Sequence, residues 1–161
     1  MIARLRDTYA SLAGAAAWLQ PLALLAVRLV AARVFWNSGL GKVETFRLLG
    51  IRIPTFDFQQ STFYLFKHEF FPGLPKGVTD VLAVMAGLGE LTLPLLVAFG
   101  LLARLGALGL LAMTAVIQIF VFPGEWWSVH AWWAVTLLTI LAFGPGAISI
   151  DRLTGLEPKP A

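Results

Sequence analysis

The sequence predicts an all-α integral membrane protein: a bundle of four transmembrane helices with a long aromatic, partly interfacial connector between the first two. Three observations carry this. Hydrophobic residues make up 58% of the 161 and charged residues 13%, whereas a soluble domain carries about 25% charged residues. Mean hydropathy is +0.80. The apolar residues gather into blocks rather than amphipathic stripes, the segregation a bilayer selects. At this length the chain reads as one domain, residues 1–161.

The first span is expected at about 19–41, although Arg28 and Arg33 lie inside it. Each arginine costs about 2.5 to 3.5 kcal/mol within a span, but the flanking blocks 22–27 and 29–32 are apolar. The second, at about 78–102, holds Glu90. The third, at about 105–122, has Gln118 as its one strongly polar group, and the fourth, at about 129–146, opens on His130 and closes on Gly144-Pro145-Gly146.

The connector, residues 43–77, holds seven of the twelve phenylalanines, with Arg47, Arg52, Asp57, Lys67 and Glu69 interleaved and Pro54, Pro72 and Pro75 breaking any period. It reads either as an interfacial cap on one end of the bundle or as a lid or partner-docking surface.

Composition also limits function. The net charge of +3 is small and scattered, which excludes a nucleic-acid surface. Without cysteine there are no disulfides, thiolate metal sites or CxxC redox pairs, so the side chains carry no thiol electrons. Two histidines are too few for a metal site without acidic helpers, and none is assigned. Arg4, Arg6 and Asp7, followed by an Ala-rich stretch, do not compose a cleavable signal. Arg4, Arg6, Arg104, Arg152 and Lys159 fall on one side, and Lys42, Arg47, Arg52, Lys67 and Lys76 on the other. The link 123–128 lacks Lys and Arg, which favours termini on the inside.

Several residues resemble the DoxX family of small bacterial membrane proteins. Arg28, Phe35, Gly39 and Lys42 are similar to its Arg-rich, Gly-x-x-Lys first helix. Gly87-Leu88-Gly89-Glu90, followed by Gly100-Leu101-Leu102-Ala103-Arg104, resembles its second. Gly144-Pro145-Gly146 with Ser149-Ile150-Asp151 resembles its closing segment. The resemblance implies a four-helix bundle in the inner membrane with both termini cytoplasmic. It also implies kinship with a subunit of thiosulfate:quinone oxidoreductase and with members associated with redox or thiol-stress partners. The function expected is an accessory subunit of a redox system, quinone-linked and not catalytic alone. The alternative is a non-enzymatic scaffold recruiting a partner through the connector; a small-molecule or proton carrier comes third.

Depth counting suggests where polar groups meet. At about 1.5 Å per residue, Arg28 lies about 20 Å and Glu90 about 18 Å below the outer ends of their helices. That expects an Arg28–Glu90 ion pair, serving as an interhelical tie or a proton relay. Arg33 and Asn37 share a helix face and a depth with Gln118 and His130, with Glu125 above. These five are expected to form an outward polar pocket rimmed by Trp36, Trp126 and Trp127, where a quinone could sit. Asp151 and Arg152 read as a solvated helix end.

Overall fold

In the computed structural model, residues 1–157 are described, so Lys159 of the charge tally lies outside the described residues. A surface helix α1 (Ile2–Ala17) precedes α2 (Gln20–Leu40). The connector then forms strands β1 (Val43–Leu48) and β2 (Ile51–Phe58), α3 (Gln60–Leu65) and a π turn, Phe66–Phe70. Next come α4 (Lys76–Phe99) and α5 (Ala103–Val116), the latter extended by a π turn, Ile117–Val121. A third π turn, Trp126–His130, opens α6 (Ala131–Phe143), and α7 (Ile150–Thr154) follows. Four of these stretches are long and apolar enough to cross a membrane: Gln20–Leu40, Lys76–Phe99, Ala103–Val121 and Trp126–Phe143.

Small residues set the packing. Ala31, Ala32, Ala103 and Ala107 are buried with Phe35, Val97, Leu110, Leu137 and Ile140 in one core. In lipid no hydrophobic effect drives helix pairing, so association rests on close backbone approach, which alanine and glycine permit. Gly39 is one instance: a β-carbon there would stand 3.0 Å from the Leu91 side chain and 3.1 Å from the Glu90 carbonyl carbon. Antiparallel to this contact, Arg28 Nη1 fills the space a β-carbon on Gly100 would take.

These two contacts fix the register of α2 on α4. From Gly39 to Arg28, and from Glu90 to Gly100, each helix covers about 15 Å. Beyond Glu90, α4 continues fourteen residues to Lys76, about 21 Å. Helix α2 therefore ends well short of α4 on the connector side, and the connector occupies the remaining length. The Phe58 ring packs over Gly87, and Phe66 and Thr79 are buried. At its other end α2 runs about 12 Å past Arg28, beyond the ends of α4 and α5.

The connector departs from an all-helical reading. Val43, Thr45, Phe46, Ile51, Ile53 and Thr55 supply β-branched and aromatic residues suited to a pleated ribbon. The antiparallel pair runs from Val43 opposite Phe58 to Leu48 opposite Ile51. Its two-residue turn places Leu49 at φ 51 and Gly50 at φ 82, the paired left-handed conformations of a type I′ hairpin. Hydropathy hid this element, because its apolar residues carry no clear period beside so many phenylalanines.

Candidate functional site

Two polar knots stand about 15 Å apart along α4. At the terminal side, Arg28 is 1% exposed and its Nη2 donates to the Ile148 carbonyl. Its Nε and Nη1 have no hydrogen-bond partner among the described residues. Asp151 is 4% exposed. Its carboxylate accepts from the backbone N–H of Leu102 at 2.7 Å and of Ala103 at 2.9 Å, capping the N-terminus of α5. Arg104 donates to the carbonyls of Leu141 and Ala142 and pairs with Glu157 at 2.7 Å. The Ser149 hydroxyl accepts the Arg152 N–H at 3.2 Å, capping α7.

The second knot lies at the end of α2. Lys42 Nζ donates to Glu90 Oε2 at 2.5 Å and to Ser38 Oγ at 3.0 Å. Backbone around Lys42 is held in turn: its carbonyl accepts from Thr62 Oγ1 at 2.9 Å and from the Gln59 N–H at 3.0 Å.

These partners correct the expected Arg28–Glu90 pair. The depth count ran α2 from one face of the bundle to the other. The observed register places its Leu40 end opposite Glu90 and Arg28 at the foot of α4, so neither side chain can reach the other. Asp151 is likewise a buried cap rather than a solvated end. Lys42 was the missed partner; its spacing of four from Ser38 and its place just past Gly39 were the available signals.

The expected outward pocket assembles only in part. His130, 2% exposed, lies 2.6 Å from Gln118, ring nitrogen Nδ1 to amide oxygen Oε1. Gln118 Nε2 donates to the Pro123 carbonyl at 2.6 Å, which fixes the amide orientation. With Oε1 facing the ring, Nδ1 carries the hydrogen and donates, leaving the Nε2 lone pair without a partner among the described residues. Glu125 is exposed, accepts from the Ser128 hydroxyl, and receives the His130 N–H on its carbonyl at 3.0 Å.

Arg33 and Asn37 do not join this pair; both are exposed on the far side of α2. Five residues separate Arg28 from Arg33, a rotation of about 140°, so one helix cannot turn both inward. The buried face of α2 belongs to Leu24, Arg28, Ala31, Ala32, Phe35 and Gly39.

One aromatic ring packs against His130. Trp133, absent from the expected set, lies 5.0 Å from the His130 ring and 5.3 Å from Phe35. Trp126 and Trp127 pair edge-on at 6.4 Å, with Trp127 81% exposed. Trp36 instead packs against Leu40, Val43 and Leu91. Phe70 meets Phe122 at 5.9 Å and Phe71 meets Phe120 at 6.4 Å, so the connector docks beside the turn that carries Gln118. Both Gln118 and His130 sit in π turns, a rare backbone form concentrated at functional sites. No sequence signal marks such turns.

Four apolar helices, tied by charged knots at two levels, define a multi-pass α-helical membrane protein. The DoxX family model matches residues 23–123, well over half of the chain, and the protein belongs to the DoxX family. No curated protein and no solved structure matches it. Of the residues whose spacing resembles the family's pattern, Arg28, Gly100, Arg104, Ser149 and Asp151 lie in one knot and Gly39, Lys42 and Glu90 in the other; Ser149 and Asp151 fall outside the matched residues.

Proposed function

We propose that this DoxX protein is an accessory membrane subunit of a redox system, not catalytic alone, which receives a quinone-type headgroup at the His130–Gln118 pair. The observation that carries this reading is a buried histidine hydrogen-bonded to a half-buried glutamine across two π turns. A purely packed bundle has no need of such a pair, and polar groups at membrane depth are functional by default. When bound, a quinone supplies the carrier for two electrons and two protons. The Nε2 lone pair would suit it as a hydrogen-bond acceptor for a quinol hydroxyl. Gln118 holds the ring tautomer, and the indoles of Trp126, Trp127 and Trp133 supply flat apolar faces for the ring.

The proposed location is the bacterial cytoplasmic membrane with both termini cytoplasmic. Arg28 joins Arg4, Arg6, Arg104 and Arg152 on the terminal side. On the other side, the link 123–128 carries no Lys or Arg. Titrating nanodisc-embedded protein with a short-chain ubiquinol analogue, read by tryptophan fluorescence, tests the function. The expected result is saturable quenching, weakened about tenfold or more by His130→Ala; linear quenching that ignores His130→Ala contradicts it.

A second reading, a scaffold that recruits a protein partner, is favoured by the hairpin. Leu49 is 95% exposed and Ile51 67% at its tip, beside Phe46 and Phe56 at 50% and 55%. Co-purification from native membranes in mild detergent would yield a partner that Leu49→Ser with Ile51→Ser releases.

A further inference from the structure

Helix α1 lies outside the residues that the DoxX model matches, and its pattern differs from that of every spanning helix. Ile2, Leu5, Tyr9, Leu12 and Ala16 recur at intervals of three and four, which lines them along one face. The bundle leaves that face uncovered: Ile2 is 82% exposed, Leu5 65%, Tyr9 74% and Leu12 65%. On the helical wheel Arg4 and Arg6 fall about 120° and about 80° to either side of the stripe, and Asp7 falls about 180° from it. Arg6 touches Asp7 at 3.5 Å with both side chains mostly in solvent, a contact too weak to hold the guanidinium from another anion.

The joint to α2 suits a change of direction. Trp18 and Leu19 close α1 with short-range bonds to Ala15 at 3.3 Å and Ala16 at 3.0 Å. Pro21 then withholds an N–H from the ladder. Trp18 at that joint is 86% exposed, and tryptophan prefers the membrane–water boundary.

We infer that α1 binds the anionic phospholipid surface on the terminal side. It lies in the plane of the membrane with Leu5, Tyr9 and Leu12 buried among acyl chains and Arg4 and Arg6 on lipid phosphates. A narrow apolar stripe, a remainder of small and polar residues and flanking arginines fit an interfacial helix. A seam between two copies is disfavoured, because sixteen residues hold about two heptads and a coiled coil needs about three or four.

The chain has no cysteine, so single-cysteine variants of the full protein accept one nitroxide each. Leu5→Cys, Leu12→Cys, Asp7→Cys and Gly14→Cys are reconstituted in vesicles with or without phosphatidylglycerol. Collision rates with oxygen and with a water-soluble nickel chelate are then measured. The inference expects labels at positions 5 and 12 to favour oxygen over nickel several-fold more than labels at 7 and 14. That contrast should shrink in phosphatidylcholine alone and in an Arg4→Gln, Arg6→Gln background. Equal nickel access at all four sites overturns it, as does a contrast indifferent to lipid charge. Dipolar broadening between copies at positions 5 and 12 also overturns it, in favour of a protein seam.

Discussion

Lys42 Nζ stands 2.5 Å from Glu90 Oε2, joining the end of α2 to the middle of α4 with Glu90 almost wholly enclosed. Removing one member of an enclosed pair strands the other charge, which costs about 3–5 kcal/mol, whereas replacing both with apolar groups is often neutral. Glu90→Leu and Lys42→Met should each lower the midpoint of thermal unfolding in detergent sharply, and the double variant should recover most of the loss. Additive losses would show that the two act independently.

Arg28 and Glu90 belong to different knots, so Arg28→Leu and Glu90→Leu should add in the same assay, because distant sites without shared partners are independent. Arg28→Leu with Asp151→Asn should not add, since both residues close the foot of the bundle around Gly100. Asp151→Asn weakens two hydrogen bonds from backbone N–H to carboxylate, each worth about 1.5–3 kcal/mol when charged.

Gly100→Ala is expected to be among the most damaging small substitutions. Its φ of +66 disfavours any side chain, and the β-carbon would land on Arg28 Nη1. Expression in the membrane fraction and unfolding midpoint should both fall, while Gly14→Ala, with nothing near its β-carbon, should leave both unchanged or slightly raised.

Arg33 makes the opposite prediction to Arg28. It lies exposed on the outer side of α2, so Arg33→Leu should leave the unfolding midpoint unchanged or higher and leave ligand titration unaffected. A loss comparable to that of Arg28→Leu would place Arg33 inside the bundle after all.

How much of this was legible follows from the physics of each signal. Hydropathy reports blocks, so the four spans could be placed to within a few residues at most ends. The α2 helix face was misjudged: the sequence reading turned both Arg28 and Arg33 inward, although their five-residue separation, a rotation of about 140°, excludes a shared inward face. Register was not: the sliding position of α2 on α4 depends on where Gly39 and Gly100 touch their neighbours, and no periodicity encodes it. That one unknown exchanged the partner of Glu90 from Arg28 to Lys42. The His130–Gln118 pair was foreseen as neighbours, yet the π turns holding it and the ring of Trp133 beside it arise from packing alone. The α1 stripe was present in the sequence, but its Ala-rich spacing masked it.

The tautomer of His130 follows from its partner. Nitrogen-15 NMR should show Nδ1 carrying the hydrogen that Gln118 accepts, and Gln118→Leu should remove that preference for Nδ1. A proton fixed on Nε2 would reverse the assigned roles.

The most direct test of the function follows the Nε2 nitrogen of His130 by the same method while a short-chain ubiquinol analogue is added. The account predicts a saturating shift of Nε2, toward the value of a hydrogen-bonded acceptor, with Nδ1 little changed and no response in Gln118→Leu. A spectrum in which neither His130 nitrogen moves as the analogue saturates the membrane would contradict it.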